Sequence, residues 1–212
     1  MKVIDCIQGS PEWFAARAGR VTASRVADIM RKGKSGPSKM RETYKGELVA
    51  ERLSCVQEDG FKSAPMMRGT EVEPKARDTY AFMFGAKIQQ VGLVIHPTIE
   101  MAAASTDSLV GDDGLLEVKC PNSSTHIQTL LGEPIDPDYV KQIQWGLACT
   151  GRQWCDYISF DDRLPPEMQL HRIRVLRDHA TILEMEIAVR AFLKEVDELV
   201  EELTTRYRSA AA

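Results

Sequence analysis

The stretch 105-STDSLVGDDGLLEVKCP-121 decides how this chain is read. Its second half alternates, so Glu117 and Lys119 share one face of a strand while Leu116 and Val118 take the other. Apolar residues on both flanks predict a strand that runs into the interior. Charges are seldom carried there unless they are paired, bound to a metal or engaged in chemistry. A turn, 111-GDDG-114, joins this strand to a preceding one, 101-MAAASTD-107, that is expected to end at Asp107. The hairpin predicts that Asp107, Glu117 and Lys119 meet.

Such a set suits metal-assisted phosphodiester hydrolysis. Two carboxylates offer the hard oxygen ligands that Mg²⁺ prefers, and this ion keeps room for waters and phosphate oxygens. The bound ion readies a nucleophile at neutral pH and stabilises charge on the phosphate. A neighbouring lysine orients the attacking water, takes its proton or offsets the phosphate charge. Alone, D-x9-E-x-K is a weak pattern, because Glu/Lys alternation on an exposed strand is usually a cross-strand ion pair.

Three further stretches add to it. In 68-RGTEVEP-74, Glu73 is expected in the first turn of a helix, where the dipole favours a carboxylate and the metal lies within reach. In 139-YVKQIQW-145, Gln142 follows the ExK strand on a helix and can hydrogen-bond the phosphate or the attacking water. In 17-RAGRVTAS-24, Arg17, Arg20, Thr22 and Ser24 gather at an expected helix N-terminus, a competent phosphate pocket.

The whole chain is compatible with this chemistry. Its 212 residues fit one domain, 1–212, that can bury a core without disulfides. No apolar run approaches the ~20 residues of a membrane span, so no membrane association is expected. The start, 1-MKVIDCIQGSPEW-13, lacks a signal-peptide pattern. Five scattered cysteines without a CxxC pair argue against a disulfide framework or a zinc site, and a cytoplasmic location is expected. Net charge is −4, but residues 1–52 carry 11 Lys/Arg against 6 Asp/Glu. A basic first third beside an acidic remainder fits a protein that grips a polyanion with one part and holds cations with another, although solvated helix faces would give the same count.

The hydrophobic period predicts helices over about 40–53, 68–84, 136–151 and 178–207, the last long and amphipathic. Strands are predicted in KIQQVGLVIHP, MAAASTD, LLEVKC, QWCDYISFD and MQLHRIRVL. This order describes an α/β (α+β) domain: a central mixed sheet of about five strands flanked by helices and closed by a long C-terminal helix.

Four motifs in order, W…R-x-G-x-x-T-A-S, RGTEVEP, TDSLVGDDGLLEVKCP and Y-x-x-Q-x-Q, resemble the phage lambda exonuclease-like (YqaJ viral recombinase) family. The resemblance spans roughly residues 12–160 and implies a restriction-endonuclease-like PD-(D/E)xK core. It further implies a homotrimeric ring that digests one strand of linear double-stranded DNA from the 5′ end, processively. The product is a 3′ overhang for recombination with a single-strand annealing protein.

By motif, Asp107, Glu117 and the Val118 carbonyl would bind Mg²⁺, with Glu73 assisting at a two-metal site and Mn²⁺ able to substitute. Lys119 would activate the water and Gln142 would serve the catalytic centre. Arg17, Thr22 and Ser24 would hold the 5′-phosphate. Met66 would part the terminal bases and Lys34 would track the incoming duplex. The family's usual SPDG is STDS here, so the carboxylate stays while the loop around it differs. Two other readings remain at this point: a catalytically inactive DNA-end-binding module, and a structure- or site-specific endonuclease on the same fold.

Overall fold

Helix boundaries follow the capping chemistry of the sequence. In a computed structural model describing residues 1–34, 36–57 and 63–208, five helices open on a Ser or Asp whose side-chain oxygen accepts a backbone N–H of the first turn. Ser10 caps α1 (Pro11–Arg17), Ser38 caps α3 (Lys39–Ser54) and Ser63 caps α4 (Ala64–Phe84). Asp136 caps α6 (Pro137–Thr150), and Asp178 caps α7 (His179–Arg208) by accepting from the N–H groups of Ala180 and Thr181. Gly85 and Gly151, at φ 58° and 75°, stop α4 and α6 in the left-handed conformation that glycine adopts at little cost. Two further helices are α2 (Val26–Met30) and α5 (Ser123–Leu130).

Among the described residues, nine strands form two sheets. The larger has the order β3-β6-β7-β8-β9: β3 (Ile88–Gln89), β6 (Ser108–Val110), β7 (Gly114–Lys119), β8 (Trp154–Phe160) and β9 (Leu170–Leu176). Only β7 and β8 run parallel in it, so the sheet is mixed as expected. The smaller sheet was not expected and has the order β1-β4-β5-β2, from β1 (Lys2–Ile4), β2 (Val21–Thr22), β4 (Leu93–Ile95) and β5 (Ala102–Ala104).

One predicted strand is therefore divided between the sheets, and a second stops short of its expected end. KIQQVGLVIHP breaks at Gly92, where a Cβ would lie 2.5 Å from the Ile4 carbonyl oxygen, so only glycine lets the two backbones approach. MAAASTD breaks at 105–107, where the chain leaves the small sheet for the large one. Asp107 consequently stands just before β6 and does not end a strand.

The central strand β7 is buried on both faces. Leu116 and Val118 pack with Ala76 and Tyr80 of α4, while Leu115 packs with Ile143 and Leu147 of α6. A second interior carboxylate, Asp156, is fully buried on the α4 side. It accepts from Arg174 at 2.7 and 2.9 Å and from the Tyr80 hydroxyl at 2.7 Å, so it is a paired structural charge.

The basic first third is partly neutralised from within. Arg41 and Lys45 on α3 bind Glu195 on α7 at 2.6 and 3.0 Å, and Arg52 pairs with Asp197. Arg25 binds Asp28 and Glu47, and Arg31 pairs with Asp138. The charge asymmetry thus largely records the α3–α7 contact and its neighbours. Among the described residues, no helix is long and apolar enough to cross a membrane.

Candidate active site

Register brings the acidic residues together. In the β6–β7 hairpin Ser108 pairs with Leu116, which sets Asp107 beside Glu117 and Val118. The Val118 N–H donates to Asp107 Oδ2 at 2.6 Å and fixes that carboxylate against the strand. Glu117 is only 6 % exposed. Its Oε1 accepts two hydrogen bonds, from Lys119 Nζ at 2.7 Å and from Gln142 Nε2 at 2.6 Å. Asp107, Glu117, Lys119 and Gln142 therefore converge as the sequence predicts.

Glu73 also belongs to this group, but not for the reason of a helix start. Because Ser63 caps α4, the helix begins at Ala64 and Glu73 lies well inside it. The dipole argument fails, and the helix simply passes the site. Burial raises the Glu73 carboxyl above its ordinary value; its ion pair with Arg77 opposes this and the charge of Glu117 adds to it. Asp107 is pushed well up, first by burial and then by Glu117 and Glu73, with Lys119 and the Val118 N–H opposing. Burial alone would lower the Lys119 ammonium, but Glu117 and Asp107 outweigh it and hold it above the usual lysine range.

Crowded, desolvated carboxylates of this kind are stabilised by a cation. Among the described residues, no three His, Cys, Asp or Glu side chains form a closed metal cage. The donor set fits an ion that needs few protein ligands: two carboxylates and a carbonyl, with remaining positions for water and phosphate, which is how Mg²⁺ is commonly held. Asp107, Glu117 and the Val118 carbonyl are the residues that could hold it.

The second glutamine of Y-x-x-Q-x-Q has a structural task. Gln144 is buried; its Nε2 donates to the Leu176 carbonyl at 2.7 Å and its Oε1 accepts from the Asp178 N–H at 2.9 Å. Both ends of the amide thus tie α6 to the β9–α7 junction.

The expected phosphate pocket is only partly assembled. Arg17 lies over the Trp13 ring, 4.1 Å from its centroid, an i,i+4 pair on α1. Its Nε is buried without a hydrogen-bond partner, and burial lowers its pKa. Ser24 is exposed on a 3₁₀ turn, Ala23–Arg25. Thr22, however, is 3 % exposed, and its N–H donates to the Tyr44 hydroxyl. The helix expected to open there is this one turn followed by the five-residue α2, too short to supply an N-terminal anion site. Its shortness traces to Arg31, where the backbone turns extended.

Three contacts escaped the sequence reading. Trp13 Nε1 donates to Ser105 Oγ at 2.8 Å, which places the Arg17 platform two residues from Asp107. Gln8 Nε2 donates to the carbonyls of Thr106 and Val91 at 2.8 and 2.9 Å, so the two links between the sheets, one of them carrying Asp107, are tied together. Lys119 Nζ lies 4.6 Å from the centroid of the Tyr139 ring. The Trp13/Arg17 spacing was the one local signal among them. Away from this centre, Met66 and Met67 are 58 % and 49 % exposed at the start of α4, which excludes a role as core filler, and Lys34 is exposed on its loop.

Comparison with known proteins gives the family and the fold. The YqaJ-like viral recombinase domain matches residues 12–153. The structure of an alkaline exonuclease, LHK-Exo, from Laribacter hongkongensis is 50% identical, with a TM-score of 0.87 over 96% of this chain and 100% of that one. The same protein in complex with dAMP matches equally. A phage-related exonuclease from Haemophilus somnus 129PT shares the fold, with a TM-score of 0.66 at 15% identity over 87% of this chain and 96% of that one. No curated protein sequence matches significantly.

Proposed function

This chain belongs to the YqaJ-like viral recombinase domain family, and from that premise we propose that it is a Mg²⁺-dependent exonuclease digesting linear double-stranded DNA 5′ to 3′. The observation that carries the reading is the meeting of Asp107, Glu117 and Lys119 on one hairpin, with Gln142 closing over Glu117. The alkaline exonuclease at 50% identity supports a DNA exonuclease. Its complex with dAMP supports it further, since a deoxynucleoside monophosphate is the class of product such hydrolysis releases.

A divalent cation held by Asp107, Glu117 and the Val118 carbonyl would lower the pKa of water and offset phosphate charge. The chain's own groups do the rest. Gln142 holds Glu117 in one rotamer through its 2.6 Å hydrogen bond. Lys119, an ammonium beside that carboxylate, places positive charge where the phosphate gains negative charge and orients the attacking water. Glu73, close enough to feel Glu117, completes the acidic wall. Arg17 binds the terminal 5′-phosphate, Met66 parts the terminal bases and Lys34 follows the duplex backbone. The resulting 3′ overhang is the substrate of a single-strand annealing protein.

Incubation with Mg²⁺ and either linear or covalently closed duplex tests the activity. Loss of the linear form alone is expected, with label at a 5′ end released before label at a 3′ end. Cutting of the closed circle would identify an endonuclease instead; binding without digestion would identify an end-binding module.

A 23.7 kDa domain is too small to encircle duplex DNA, so processive digestion calls for enclosure by several copies or for slow release. A homotrimer is expected. Light scattering that returns a monomer at micromolar concentration would refute it.

A further inference from the structure

The helix α6 lies along β7 in a regular antiparallel register. Gly146 meets Leu115, where a Cβ would stand 3.5 Å from Leu115 Cδ1. Gln142 reaches Glu117 Oε1 at 2.6 Å, and Tyr139 faces Lys119 with Nζ 4.6 Å from its ring centroid. Helix steps of four and three thus answer strand steps of two and two. The lengths nearly match, roughly 10 Å of helix against 13 Å of strand. Each charged residue of the ExK strand receives one dedicated contact from α6.

In the sequence Gln142 carries an expected role, whereas Tyr139 stands only as the first letter of its motif. We propose that Tyr139 is a positioning residue whose ring face holds the Lys119 ammonium in place for the reaction. This inference rests on the nuclease reading above.

The physical need is specific. A lysine carries its charge on a flexible four-carbon stem. Among the described residues its one ion-pair contact at Nζ is Glu117 Oε1 at 2.7 Å, an oxygen it shares with the Gln142 amide. When Glu117 turns its charge to another partner during the reaction, the ion pair weakens. The π-face is then the contact that keeps the ammonium from swinging to solvent. The ring is itself buttressed: Tyr157 stacks on Tyr139 with centroids 6.3 Å apart, and Tyr157 pairs with Glu117 in the β7–β8 register. A chain of contacts therefore runs from Glu117 through Tyr157 and Tyr139 back to Lys119. Tyr139 is 38 % exposed, so its replacement is not a core deletion.

The experiment compares Tyr139→Phe with Tyr139→Leu in single-turnover digestion of linear duplex, with DNA affinity measured separately in Ca²⁺. The ring face survives in Phe, so its rate stays within about threefold of wild type, whereas Leu lowers the rate roughly three- to thirtyfold with affinity unchanged. Reductive methylation read by mass spectrometry gives a second measure, with the Lys119 amine more reactive in Tyr139→Leu than in wild type. That measure also serves if the Leu variant is too unstable for kinetics, with Tyr139→Met in its place.

A Leu variant with wild-type rate and wild-type Lys119 reactivity overturns the proposal. So does a loss in Phe as large as in Leu, which would assign the hydroxyl, or a loss of affinity in place of rate, which would assign the ring to DNA. Lys119→Ala is run alongside. If wild type itself leaves the duplex intact, the nuclease reading fails; if Lys119→Ala is active, the role of Lys119 fails and that of Tyr139 with it; if Lys119→Ala is inactive while Tyr139→Leu matches wild type, only the role of Tyr139 fails.

Discussion

Removing Lys119 is expected to abolish digestion while leaving the grip on DNA intact. A preorganised charge aimed at the developing negative charge is worth about 10²–10³ in rate, so Lys119→Met should lose at least that much. Methionine keeps most of the apolar stem and removes the ammonium. Asp107→Asn and Glu117→Gln should lose as much or more, because each deletes an anionic ligand. Amide replacements are the cleaner choice at Asp107. Its Oδ2 accepts from the Val118 N–H at 2.6 Å, and alanine would leave that donor unpaired at a cost of about 1–3 kcal/mol. Fluorescence anisotropy in Ca²⁺, which is larger than Mg²⁺ and less strict in geometry, should show duplex affinity unchanged without turnover. A Lys119→Met enzyme with near-normal single-turnover rate would remove Lys119 from the mechanism.

The candidate site was legible because its parts are close in sequence and carried by a strong period. Alternation fixed the shared face of Glu117 and Lys119, and the GDDG turn fixed their distance from Asp107. What escaped was made of contacts between distant residues. The indole of Trp13 reaches Ser105, and Gln8 reaches Thr106, across gaps that leave no local pattern. The pairing of Arg41 and Lys45 with Glu195 is of the same kind. A charge count along the chain showed the two halves of that contact as an asymmetry. Strands of two or three residues, such as β1 and β2, are too short to display a period. The division between sheets turns on Gly92, whose meaning lies in the Ile4 and Cys6 backbone beside it. Tyr139 escaped for a related reason, since a tyrosine opening a helix reads as surface until the partner across from it is known.

Arg17→Ala is expected to spare the hydrolytic step and erase the preference for 5′-phosphorylated ends. An enzyme that advances along one strand leaves a new 5′-phosphate after every cut, so a site for that group both selects the end and draws the strand forward. A terminal phosphate carries more charge than any internal phosphodiester, and a guanidinium fork suits it. In this chain the fork has few other claims on it. Its stacking on Trp13 fixes its plane, its Nε has no hydrogen-bond partner, and burial lowers the pKa of the cation although the charge of Glu51 opposes this. Without a helix terminus or the buried Thr22 to share the load, Arg17 is expected to carry most of the selectivity, with Ser24 the one other expected residue still exposed. A charge-assisted hydrogen bond contributes about 1.5–3 kcal/mol, so the ratio of rates on phosphorylated and hydroxyl ends should fall roughly ten- to a hundredfold. Runs should also shorten. Arg17→Lys should recover only part of the ratio, since an ammonium keeps the charge and loses the fork. The ratio is the decisive readout, because a general loss of stability or of DNA affinity slows both substrates alike and leaves it unchanged. Initial rates and product lengths on the two ends, wild type against variant, measure it. An Arg17→Ala enzyme that keeps the wild-type ratio would place the phosphate site elsewhere.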